Sequence, residues 1–216
     1  MLPGPDRVLA CPRCAALVRH SSWASTNTFG STLWSDGHRA GPMTGAQSPW
    51  VCCPSCAGCF WLVEATKVGQ FSPYGQREEQ SVDPAWANAP HVIEPTELQL
   101  IAGAEEQTDT GRCKRLRALA WHAGNDPHRV AGAPHGQRTW QPHFIANLEA
   151  LVALFDDADP DEAIVKVEAL RELGRFDEAL FQLRRVQGDA PAYVVEEFAR
   201  LCRAQVRDVV ALSEAE

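Results

Sequence analysis

The chain has 216 residues, enough for one medium domain or two small ones with buried cores. Hydrophobic residues make up 45% and charged residues 22%, the balance of a globular protein rather than a disordered or fibrous one. The net charge of −8 argues against nucleic acid: residues 1–90 hold six basic and six acidic side chains, residues 91–216 hold fourteen and twenty-two, and neither part has the basic excess that phosphate contacts demand.

The opening MLPGPDRVLACPRC contains no apolar run of signal-peptide length, and nowhere do eighteen apolar residues follow one another. A cytoplasmic location without a membrane partner is therefore the expectation. Thiols stay reduced there, so eight cysteines point to metal or redox chemistry before disulfides. Cys11-Pro12-Arg13-Cys14 is the first such motif, and Cys53-Pro54-Ser55-Cys56 repeats its C-P-x-C pattern. Two residues between cysteines let one tight turn aim both sulfurs at one ion. Two such knuckles complete a tetrahedral four-sulfur shell, which suits Zn²⁺ with bonds of about 2.3 Å. A closed thiolate shell is structural rather than catalytic. The metal ligands predicted are Cys11, Cys14, Cys53 and Cys56.

The 38 residues between Cys14 and Cys53 exceed an ordinary ribbon loop, and no glycine directly follows Cys14 or Cys56. The extra length is accounted for if FGSTLWSDGHRA, residues 29–40, forms an inserted hairpin. Phe29, Ser31, Leu33 and Trp34 lie in a β-favouring run there, and Asp36-Gly37 supplies the turn. In VCCPSCAGCFW, Cys52 and Cys59 are left over. They read as small apolar filling. The alternative is a redox pair whose oxidation ejects the metal.

Residues 67–95, with Pro73, Pro84, Pro90 and Pro95, read as a linker anchored by Trp86. From Thr96 the apolar period becomes helical. Leu98, Ile101 and Ala102 begin a short helix; Arg112 to Ala123 makes a second, with Leu116, Leu119 and Ala120 inward; a third lies near Phe144 to Phe155. Asp159 caps a fourth, with Pro160 and Glu162 in its first turn and Ile164, Val167, Leu170 and Leu173 as its buried stripe. Gly174 breaks it, Arg175 to Val186 follows, and a last helix is predicted from Ala192 to Leu212. His122, His128, His135 and His143 match no zinc spacing, and the run Asp156 to Asp159 reads as a helix start.

CPRC, NTFGSTLWSDG, CPSC and Phe60-Trp61 together resemble a group of uncharacterised bacterial zinc-ribbon proteins with an internal N-T-x-G…W-S-D-G segment and a helical region behind it. The resemblance covers residues 11–61. It implies a ribbon with metal at Cys11, Cys14, Cys53 and Cys56, and it carries over no activity. ELGRFDEALFQLRRVQGDAP is similar to the second helix of a tetratricopeptide repeat, with Ala179 at the small position and Pro191 closing the unit. A single unit reads as an αα-hairpin rather than a solenoid.

The fold class expected is α+β: a zinc-ribbon-like β domain over 1–66, a linker over 67–95, and an antiparallel helical bundle over 96–216 with a tetratricopeptide-like hairpin. No phosphate-binding, dinucleotide, nucleophile-elbow or H-E-x-x-H motif is present, so no enzyme is expected. The function predicted is a zinc-binding scaffold or adaptor for another protein. A thiol redox sensor that releases zinc on oxidation, and a nucleic-acid-binding ribbon, are the alternatives.

Overall fold

The structure is a computed structural model that describes residues 2–45, 48–72, 83–130, 136, 138–186 and 190–212. His135 lies outside them. The chain forms two compact units, one from Met1–Ser31 and Gly41–Pro95, the other from Thr32–Ala40 and Thr96–Glu216. The class is α+β, with small antiparallel sheets in both units and helices concentrated in the second.

The first unit begins with β1 (Leu2–Pro3), β2 (Asp6–Ala10), β3 (Leu17–His20) and β4 (Trp23–Ser25). The chain then contributes β5 (Thr32–Trp34) and β6 (Arg39–Ala40) to the second unit, and returns for β7 (Trp50–Cys52), β8 (Cys59–Trp61) and β9 (Thr66–Phe71). Strand β2 is central, with β3 on one side and β9 on the other, and β7 pairs with β8. Beneath them Leu9, Val18, Val51 and Phe60 form a small apolar core that also takes in Cys11 and Cys53.

Residues 67–95 are not a free linker. They begin inside β9 and continue through the short helix α1 (Pro84–Ala87), capped by the Asp83 side chain. Trp86 packs on Gly69, where an added Cβ would come within 2.2 Å of the indole, so a side chain at that strand position would displace the ring. Farther on, Ile93 and Cys52 exchange both backbone hydrogen bonds at 2.9 Å. The prolines that read as a loop leave these carbonyls and N–H groups free to pair.

The second unit contains α2 (Glu97–Glu105), α3 (Thr110–Asn125), α4 (Pro142–Val152), α5 (Pro160–Glu172), α6 (Phe176–Val186) and α7 (Ala192–Arg203), followed by β10 (Ala211–Leu212). Thr96 and Gln99 close a reciprocal capping box on α2. Its buried face is Leu100, Gly103 and Ala104, whereas Leu98 and Ala102, at the expected start of this helix, are exposed. Asp159 accepts from the N–H groups of Asp161 and Glu162 as its sequence position predicts. Helix α5 ends at Gly174, whose φ of 79° lets the Arg175 N–H reach the Leu170 carbonyl.

The last helix stops at Arg203 rather than Leu212. Gln205 takes a left-handed φ of 52°, Val206 N–H bonds back to Leu201, and the chain turns out to pair β10 with β5. The guanidinium of Arg171 holds this exit by donating to the carbonyls of Val206 and Asp208.

That guanidinium belongs to a buried ionic network. Asp36 and Glu168 pair with Arg129 and Arg171, and Arg138 stands 3.9 Å from Glu172, all with side chains at most 5% exposed. Arg171 forks onto both oxygens of Glu168. Asn125 donates to Asp36 and Glu172 at 2.9 and 3.0 Å, and Trp121 Nε1 donates to Glu172 at 3.1 Å. Arg129 donates to Asp36 at 2.6 Å. The W-S-D-G hairpin of β5 and β6 is therefore an anchor in the helical unit: Ser35 bonds to both Val210 and Arg171, and Asp36 is the carboxylate that Asn125 and Arg129 hold. Its placement in the N-terminal β domain is corrected accordingly. Paired charges of this kind cost a great deal when one partner is removed.

Burial opposes ionisation of Asp36, but Arg129 more than offsets it and holds the carboxyl below its ordinary range. Glu172 goes the other way. Burial first, then the charges of Glu168 and Asp36, push it from its ordinary 4.5 up to about 8. Between those values the folded chain keeps a proton that the unfolded chain releases, so stability from this group falls as pH rises. The thermal midpoint of the native chain should therefore fall more between pH 5 and pH 8 than that of Glu172→Gln, measured by circular dichroism at fixed ionic strength (roughly the span set by that shift). Parallel profiles would contradict this.

Candidate metal centre

Each C-P-x-C motif is the turn of a hairpin. Cys11 to Cys14 join β2 to β3, and Cys53 to Cys56 join β7 to β8. The two turns have the same backbone plan. Ala15 N–H bonds to the Cys11 carbonyl at 2.9 Å, and Ala57 N–H to the Cys53 carbonyl at 2.8 Å. Cys11 N–H then bonds to Ala16 and Cys53 N–H to Gly58, each at 3.0 Å, closing the hairpin behind the knuckle. To turn this tightly the residue after the second cysteine must enter the left-handed region. Ala15 and Ala57 do so, with φ of 60° and 57°. The position where the sequence lacks glycine therefore adopts the glycine-like conformation anyway, at a cost of about 1–2 kcal/mol per residue.

The two turns bring four sulfurs together. Cys11 and Cys56 Sγ are 3.9 Å apart, Cys14 and Cys53 Sγ are 3.8 Å apart, and all four lie within 4.8 Å of one another. A regular tetrahedron of thiolates bound at ~2.3 Å has edges of ~3.8 Å. The donor set is thus positioned to hold one metal ion. Cys11 and Cys53 are buried against the apolar core, while Cys14 and Cys56 are exposed. Among the described residues this is the one group of three or more His, Cys, Asp or Glu ligands that could hold a metal.

Electrostatics distinguish the thiols. Burial pushes the Cys53 thiol up, but the N–H groups of Cys56 and Ser55 and the thiols of Cys11 and Cys14 draw it down to about 7. For Cys14 the strongest influence is the Ala16 N–H, which lowers it; the Cys56 thiol, burial and the thiols of Cys11 and Cys53 outweigh that and push it up to about 12. One thiolate can be shared among four sulfurs, but a full set of thiolates calls for a cation.

Cys52 and Cys59 do not fill space as separate thiols. They are register partners at the ends of β7 and β8, and a disulfide joins them. No spacing rule in the sequence marks this pair, because its cause is strand register. His122, buried against Asp36 and facing His38 at 5.1 Å between ring centroids, has its pKa lowered by burial and donates from Nε2 to the Asp36 backbone carbonyl at 3.2 Å. His143 faces Glu97 at 3.4 Å. Arg138 stacks on Trp140 at 4.1 Å and Trp121 is fully buried. The chain matches no family model, no curated protein and no solved structure.

Replacing Ala15 or Ala57 by glycine should relieve the left-handed strain and stabilise the first unit by up to ~1 kcal/mol each, less the added freedom of the unfolded chain. Chelator titration followed by near-ultraviolet circular dichroism would register it as a higher chelator midpoint; a lower midpoint would contradict the strain assignment.

Proposed function

We propose that the chain is a non-enzymatic zinc-binding scaffold. Cys11, Cys14, Cys53 and Cys56 hold a structural Zn²⁺ that staples the first unit as a zinc ribbon, and the helical unit offers a face to a protein partner. The observation that carries this reading is the convergence of four cysteine sulfurs at the edge length of a tetrahedral thiolate site. Soft thiolate donors favour zinc over the harder cations, and a site filled by four protein ligands leaves no position for substrate. The first unit also needs a staple. The cluster beneath the knuckles joins Leu9, Val18, Val51 and Phe60 to two of the cysteines themselves, a small core for short strands that a metal staple would reinforce.

The metal chemistry required of the protein is limited. The two hairpin turns bind and orient the sulfurs, their N–H groups ease deprotonation, and the apolar core excludes water from the buried side of the site. Zinc supplies the positive charge that lets all four thiols ionise.

Support for a partner face comes from Phe181, 58% exposed on α6. It lines a groove of about 610 Å³ with Val152 and Leu170, rimmed by Asp157, Lys166 and Arg175. An αα-hairpin of α5 and α6, closed at Gly174, builds one side of it.

Purified protein should carry one equivalent of zinc by elemental mass spectrometry, and its removal should unfold the β unit, since such sites contribute on the order of 10–16 kcal/mol to folding. A content below about half an equivalent in protein prepared without chelator would overturn the reading.

A further inference from the structure

Cys52 ends β7, Cys59 begins β8, and the six residues between them are the whole of the second knuckle. The disulfide between them therefore closes a ring around Cys53 and Cys56. It does so without taking a ligand. The Cys52 sulfur bonds to Cys59, whereas the Cys53 sulfur lies with those of Cys11, Cys14 and Cys56. Accordingly the disulfide and the four gathered thiols coexist: Cys11, Cys14, Cys53 and Cys56 remain free and within 4.8 Å of one another. Cys52 is buried and its backbone is doubly bonded to Ile93, while Cys59 is half-exposed and open to a small reagent.

We infer that Cys52 and Cys59 form a redox-addressable clip, a reversible disulfide at the base of the second knuckle that preorganises Cys53 and Cys56, so that oxidation tightens metal retention instead of releasing the ion. The inference rests on the metal reading above and inverts the expectation that oxidation of this pair ejects zinc. The co-reactant is a small-molecule disulfide of the glutathione type. The Cys59 sulfur attacks one of its sulfurs and releases one small thiol; the Cys52 sulfur then attacks Cys59 and releases the second. One protein S–S bond forms, the pair gives up two electrons and two protons, and the small disulfide is reduced to two thiols. Excess small thiol runs the exchange backwards. Clipping the turn removes the conformations in which Cys53 and Cys56 splay apart, which acts on the metal as other supporting groups around a ligand shell do.

The test uses the full chain, zinc-loaded, equilibrated with either glutathione disulfide or reduced glutathione. Free thiols are alkylated after an acid quench, peptides are mapped, and zinc transfer to a chromophoric chelator is timed. The oxidised sample should yield a Cys52–Cys59 cross-linked peptide, six alkylated cysteines and retained zinc. Its zinc should leave about tenfold more slowly than from the reduced sample, the low end of what supporting groups contribute to a metal site. A Cys52→Ser/Cys59→Ser variant should release zinc equally fast in both buffers. The clip is overturned if the pair stays reduced, if cross-linking coincides with zinc loss, or if the native chain's two rates are equal. Zinc missing from the reduced protein before any oxidant is added would instead sink the metal reading, and the protective role with it.

Discussion

Four thiolates cannot occupy one small volume unless a cation sits among them. Two like unit charges 4 Å apart repel by ~4 kcal/mol at an effective dielectric constant of about 20, and four of them make several such pairs. The first unit nevertheless directs four sulfurs to within 4.8 Å of one another, from turns separated by 38 residues of chain. It spends backbone strain at Ala15 and Ala57 to do so. Both knuckles are hairpin turns, and the core beneath them takes in two of the same cysteines.

Much of the site was legible in the sequence because its cause is local. A C-P-x-C turn is a complete geometric instruction, so Cys11, Cys14, Cys53 and Cys56 could be named without knowing how the strands pair. Cys59 lies two residues beyond Cys56 and also makes a C-x-x-C spacing, yet only the proline-bearing pairs are brought together. The disulfide of Cys52 with Cys59 was not legible, since it follows from the register of β7 on β8, a non-local fact. Nor was the role of Ala15 and Ala57 evident. Alanine carries no sign that it will be held at positive φ; only the demand of the turn places it there.

The helical unit shows where periodicity misleads. Helix α5 was found at its true start because Asp159-Pro160 is a local capping signal. Its charged residues Glu168, Arg171 and Glu172, which the apolar stripe does not include, are fully buried. They are satisfied by groups distant in sequence, Ser35, Asn125 and Trp121 among them. The same distance explains the W-S-D-G segment. Its β propensity and turn were read correctly, while its destination depended on Asp36 meeting Asn125 and Arg129, residues some ninety positions away. The end of α7 failed for a related reason: Val209 and Leu212 continue the apolar pattern, but β5 claims that segment as a strand partner.

The most direct measurement is X-ray absorption at the zinc edge on purified protein. Four sulfur neighbours at about 2.3 Å are expected, with no lighter atom in the shell. A shell of nitrogen or oxygen at ~2.0–2.1 Å, or fewer than four sulfurs, would contradict the assignment of Cys11, Cys14, Cys53 and Cys56 as a closed site.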